Sequence, residues 1–300
     1  KLDQDQFIVA KNSVVSYTSK SADFTKEYEV GSSIDWKALT LARSGESIPK
    51  SYGYKIRDFV SKYSTTQELE EKLGSATEAQ RMTIGLTAAG YDATNIAGHN
   101  LVASIYSNSK LKEAGINAYI YGLLALDTKP YEVPASAVNS RENIINWIIQ
   151  SQLVDGSFCY APEWGSDIDL TAMAIQALAP YYDRTDVKAS IDKALAWLSK
   201  IQLDNGGYEA WGSESCESLS QVICALVSLG KNPEEETDFI KPNGTLMTHL
   251  LTFYDKENGG FKHSPEGTVD FNFATPQAAY ALVAYGRLLE GKTFLYNMSD

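Results

Sequence analysis

Two aspartates one residue apart, Asp167 and Asp169, open the apolar run SDIDLTAMAIQAL (166–178). A carboxyl group in that position has two uses. Held neutral by burial, a nearby anion or a hydrogen bond, it becomes a general acid able to protonate a double bond. Left ionised in the first turn of a helix, it offsets the helix dipole, which is worth about 0.3 to 1 kcal/mol. Ser166, three residues before Asp169, has nearly the spacing of a capping box, and Ser75 with Glu78 shows the full box at another helix start. Because a helix N-terminus favours the ionised form, the spacing predicts capping and no catalytic residue. An acid role for Asp169, with Asp167 beside it, is the alternative.

Other chemistry-bearing residues are few. The histidines His99, His249 and His263 and the cysteines Cys159, Cys216 and Cys224 lack zinc-ligand spacing, so no metal site is predicted, although His263 in GGFKHSP could join Cys216. Cys224 falls in an apolar helical run and reads as core, while Cys159 and Cys216 fit either a mutual disulfide or two free thiols. No Ser-His-Asp set, phosphate-binding loop or dinucleotide fingerprint is present. The net charge of -12, from 26 Lys and Arg against 38 Asp and Glu, repels nucleic acid and anionic membrane surfaces. No apolar run reaches the roughly 18 residues that span a bilayer, so membrane insertion is not expected either. The start KLDQDQF lacks a signal-peptide pattern and reads as cut from a longer precursor.

The elements that must position these residues are visible as a repeat. ENIINWIIQSQLVDGSF aligns without a gap to KALAWLSKIQLDNGGY, so Trp147, Gln152, Gly156 and Phe158 match Trp197, Gln202, Gly206 and Tyr208, each 50 positions on. LMTHLLTFYDKENGGF is a third copy, with Gly259 and Phe261 at the glycine and the aromatic. Each copy is a polar-faced helix closed by a glycine turn that permits positive φ, and each is followed by a helix that is apolar all round. Leu41, Leu86, Leu126, Leu178, Leu226 and Leu282 anchor six apolar helices. Amphipathic partners are predicted near 53–62, 97–106, 141–151, 188–200 and 246–254, with a sixth near 7–19. An all-apolar helix must be surrounded and an amphipathic one must face water. The prediction is therefore an all-α fold, an (α/α)6 toroid of six inner and six outer helices, with 1–300 as one domain rather than an open solenoid.

The string from Trp147 to Phe158, repeated from Trp197 to Tyr208, resembles the QW repeat of triterpene cyclases. The paired helices are similar to the superfamily of terpenoid cyclases and protein prenyltransferases, which includes the toroid of cobalamin carriers. From SIDWKALTLARSG to LLEGKTFLYNMSD the chain resembles the prenyltransferase-like toroid of secreted or cell-surface proteins of Gram-positive bacteria. That resemblance implies a secreted or surface location and leaves activity open. Class II cyclases carry DxDD followed by Thr-Ala; Asp167, Ile168, Asp169, Leu170, Thr171 and Ala172 match it except at Leu170. Protein prenyltransferases hold zinc with Asp, Cys and His. Glu214 and Cys216 stand at two of those places, but residues 271–277 contain no histidine.

Every catalytic pattern of the superfamily is thus incomplete, and the sequence predicts a non-catalytic ligand-binding or interaction module, with a class II cyclase-like isomerase using Asp169 as the alternative. The expected ligand is a small molecule such as a corrinoid, a glycan, or a protein segment. It would meet Tyr160, Trp164, Asp167, Asp169, Tyr208, Trp211, Glu214, Glu217, Phe261 and His263 at the mouth where the glycine loops gather. No cofactor is expected, cobalamin and zinc being remote options.

Overall fold

Helices with apolar residues on every side need complete cover, and helices with one apolar stripe need half of it. Both kinds are present in the structure, a computed structural model that describes residues 1–300. The first half of the chain forms α1 (Gln4–Ser21), α2 (Ile34–Arg43), α3 (Lys50–Val60), α4 (Thr66–Leu73), α5 (Ala76–Ala88), α6 (Leu101–Tyr106), α7 (Leu111–Ala114) and α8 (Ile116–Leu126). The second half forms α9 (Arg141–Ser151), α10 (Ile168–Leu178), α11 (Thr185–Ile201), α12 (Cys216–Ser228), α13 (Leu246–Leu251) and α14 (Ala274–Leu289). Strands are limited to two hairpins of two-residue strands, β1 (Glu209–Ala210) with β2 (Ser213–Glu214) and β3 (Tyr254–Asp255) with β4 (Gly260–Phe261). The fold is all-α.

All six anchoring leucines are buried in six different helices, α2, α5, α8, α10, α12 and α14. The amphipathic helices fall where the pattern puts them, with four differences, the first being that α13 stops at Leu251 and Tyr254 already lies in β3. α6 begins at Leu101 because 96–99 close a tight turn in which Ala97 and Gly98 have φ of 51° and 82°. α4 and α7 are additional. α4 buries only Leu69 and Leu73, and α7 only Leu111, so neither is long enough to show a period.

The chain divides into two compact units, residues 1–18 with 151–295 and residues 19–150 with 296–300. In the first, α12 lies between α10 and α14; in the second, α5 lies between α2 and α8. A chain of glutamines, buried at Gln176 and Gln221 and half-buried at Gln277, ties the first trio together. Gln176 on α10 donates to Gln221 Oε1 on α12 at 3.0 Å, and Gln221 donates to Gln277 Oε1 on α14 at 2.9 Å. Satisfied polar groups of this kind set helix register, since a slip would leave them bare.

The repeated glycine turns have one geometry. Gly156 and Gly206 have φ of 97° and 94°, and a Cβ on either would lie 2.5 or 2.4 Å from a carbonyl oxygen, of Lys193 or of Thr245. Gln152 Nε2 donates to Gly156 O and Ser190 O, and Gln202 Nε2 donates to Gly206 O and Phe239 O, so each glutamine joins its own turn to the next repeat. The aromatic after the turn is pinned to the coming helix. Phe158 O accepts the N–H of Asp167, Tyr208 O that of Ser215, and Phe261 O that of Asp270. Those three residues stand just before α10, α12 and α14, which brings their starts and the glycine loops to one end of this unit.

Candidate active site

Residue types at the start of α10 decide which aspartate caps it. Asp167 has extended backbone and its carboxylate accepts the N–H of Leu170 at 2.8 Å, so Asp167 is the N-cap. Ser166 turns away to Ser157 at 2.6 Å and Asp155 at 3.3 Å. The capping box expected between Ser166 and Asp169 is therefore not formed. The second box fails in a similar way: Ser75 accepts only from Thr77, and Glu78 pairs with Arg81. In the first case the partners lie in the preceding loop, and in the second Glu78 pairs one turn on within its own helix.

Freed from capping, Asp169 points at the neighbouring helix. Its Oδ1 accepts the hydroxyl of Ser218 on α12 at 2.5 Å, and Ser218 is placed by its own N–H donating to the N-cap Ser215 Oγ at 3.2 Å. Burial pushes the Asp169 carboxyl up to about 6; the Ser218 bond pulls down, the charges of Asp167 and Glu217 push up, and His263 pulls down. The anion that the class II pattern has at Leu170 is replaced from another helix. Leu170 is fully buried core, and Glu217 of α12 supplies a neighbouring negative charge from another helix. Asp169 stays half-buried, so a ligand can reach it. Tyr160 completes the surroundings: burial, then Asp167 and Asp169, push its hydroxyl up to about 12, which keeps it protonated.

The other expected site residues separate into two sets. Glu217 is buried with Oε2 2.5 Å from His263 Nδ1, and Trp164 stands with its ring 6.4 Å from that of Tyr160, both exposed. These gather about Asp169 and the loops beside it. Trp211 is exposed on the β1–β2 turn, where it and Gly212 have φ of 56° and 86°, the pair of positive angles a two-residue hairpin needs. Tyr208 and Phe261 do not belong to a site. Both are wholly buried, and the Tyr208 hydroxyl donates to Leu198 O near the end of α11. Glu214 is engaged by Asn205 at 2.6 Å and His249 at 3.1 Å. The cysteines are free thiols, Cys159 half-buried and Cys216 and Cys224 buried.

A second buried carboxyl, Asp35, went unread. It accepts from Tyr28 at 2.6 Å, Tyr52 at 2.5 Å and Arg81 at 3.2 Å, and burial pushes it up although all three partners pull down. With both oxygens occupied and no exposure, it is a structural hub of its unit. A signal existed: Asp35, Asp169 and Glu217 are each the second residue of a buried helix, after Ile34, Ile168 and Cys216.

No curated protein matches the sequence. Residues 100–232 match the prenyltransferase alpha-alpha toroid domain. Among solved structures, a type II terpene cyclase from Scytonema is similar with a TM-score of 0.63 and 13% identity, covering 95% of this chain and 99% of that one. The chain has the fold of the terpenoid cyclase and prenyltransferase superfamily. An unsaturated glucuronyl hydrolase from Bacillus sp. GL1 is similar with a TM-score of 0.58 and 12% identity over 98% of this chain and 99% of that one. Protein geranylgeranyltransferase-I from Candida albicans follows at 0.55 and 12% over 95% and 92%. The Scytonema cyclase is also solved with geranylgeranyl dihydroxybenzoate as substrate and merosterolic acid A as product. The expectation of a non-catalytic binding module is corrected by these neighbours, which are cyclases solved with substrate and product.

The zinc of the prenyltransferase branch of the superfamily does not fit. The Cys216 thiol is fully buried and held well above its ordinary range by that burial, Glu214 is already paired, and residues 271–277 supply no imidazole.

Proposed function

We propose that this chain is an acid-initiated isomerase of the class II terpene-cyclase kind, acting on an apolar polyprenyl substrate. The observation that carries the reading is the Asp169 carboxyl, reachable from solvent yet pushed up to about 6, with Oδ1 engaged by Ser218. In the first step the substrate's π pair takes the proton from Oδ2, leaving a tertiary carbocation and the Asp169 carboxylate. Attack of another double bond forms a carbon–carbon bond and moves the positive charge to a new carbon, and loss of a proton from the adjacent carbon to water then forms the product's double bond without change of mass. Electron-rich rings stabilise such cations, and Tyr160 and Trp164 stand beside the acid. Ser218 holds the carboxyl in one orientation, and Glu217 and Asp167 oppose its ionisation.

The test is incubation of the full chain with geranylgeranyl-headed substrates in deuterated water. One deuterium per product, lost together with turnover in Asp169→Asn, supports the reading. Unchanged substrate across the acidic and neutral range, or turnover that persists in Asp169→Asn, overturns it.

A further inference from the structure

Next to the acid lies a group of donors that proton transfer does not use. Glu217 on α12, His263 after β4 and Asp270 before α14 each offer one ligand atom, and those atoms lie within 4.8 Å of one another. An independent sign marks the group as unfinished. Glu217 is 6% exposed, yet its Oε1 has no hydrogen-bond partner. A buried carboxylate oxygen left bare is costly, and native structures seldom keep one without an unseen partner.

The remaining atoms are braced from behind, as ligands of a metal are. Ser215 Oγ donates to Glu217 Oε2 at 3.1 Å. The N–H groups of Asn272 and Phe273 hold Asp270 Oδ1 at 2.8 and 3.2 Å, while Oδ2 has only a 3.5 Å bond from the N–H of Ala274. The His263 side chain is 52% exposed, which gives an ion a way in.

We propose that Glu217, His263 and Asp270 form a binding site for a divalent transition-metal ion of the zinc class, with water completing its shell. One imidazole nitrogen and two carboxylate oxygens suit such an ion by ligand type, and the two carboxylates neutralise its charge. Ligands at 2.0–2.2 Å from a tetrahedral centre are roughly 3.3 Å apart, so the His263–Glu217 contact of 2.5 Å opens to admit the ion, and Asp270, within 4.8 Å of both, adjusts to meet it. The ion takes the place of the hydrogen bond in this contact, with the imidazole proton carried on Nε2. Cys216 is not a member: its thiol is buried, and what it contributes near His263 is a backbone N–H to His263 O at 3.0 Å. The site does not depend on Asp169 acting as an acid.

The experiment titrates zinc chloride into the chelator-stripped full chain by calorimetry, with thermal melts alongside. One ion per chain is expected, with a higher melting temperature in its presence. Affinity should fall by more than about tenfold in His263→Ala and in Glu217→Gln, which keeps the side-chain shape should Asp270→Asn weaken the cap of α14. His249→Ala, which alters the imidazole paired with Glu214, should bind zinc as the parent does. No binding overturns the proposal, as does binding that survives His263→Ala or is lost in His249→Ala.

Discussion

Replacing Asp169 by asparagine separates a general acid from a helix cap, because the two roles predict opposite signs. The carboxyl rises from an ordinary value of 3.8 to about 6 on folding. The fold therefore favours the neutral form. That contribution is fully present below about pH 4 and is lost as pH rises through 6, so above it the native state carries the cost of a buried charge. At 1.36 kcal/mol per pH unit, two units amount to about 3 kcal/mol. The dipole of α10 returns about 0.3 to 1 kcal/mol to a charge in the first turn, and partial exposure trims the rest, leaving about 2 kcal/mol. An asparagine keeps an oxygen for the Ser218 hydroxyl and carries no charge. Asp169→Asn should thus be more stable than the parent by about 2 kcal/mol near pH 8 and equal to it within about 0.5 kcal/mol near pH 4. Denaturant unfolding of both proteins at the two pH values measures this. A capping carboxylate would instead give a variant weaker by about 0.5 to 2 kcal/mol near pH 8, and that outcome would refute the reasoning.

Ser218→Ala removes a donor that lowers the Asp169 carboxyl, so the descending limb of the pH–rate profile should move to higher pH; an unmoved limb would mean that Ser218 does not hold the acid. Gly206→Ala places a Cβ 2.4 Å from Thr245 O at a φ of 94°, and should cost about 2 to 4 kcal/mol of unfolding free energy. Asp35→Asn leaves the guanidinium of Arg81 without one buried partner and should cost about 3 to 5 kcal/mol, seen as a large fall in melting temperature, while Asp169-dependent turnover keeps its pH profile.

Helix identity was legible because it is local. Apolar residues all round α8 and α12, stripes on α1 and α11, and a glycine after each polar helix are properties of adjacent residues. The glycine of each repeat took the positive φ that its turn called for, since turn geometry at Gly156, Gly206 and Gly259 depends on a few neighbours. Short helices such as α7 escaped for the converse reason, having too few residues to show a period.

Amino-acid order alone determined that this chain contains six buried and six striped helices, because burial pattern and turn chemistry are written in residues a few positions apart. The state of its acid was decided elsewhere. The Asp169 carboxyl is pushed up by the packing that dries it and by the charges of Asp167 and Glu217, while the Ser218 hydroxyl, 49 residues away, holds it and pulls it down. Desolvation and Coulomb interactions act through space, and only the folded chain sets those distances.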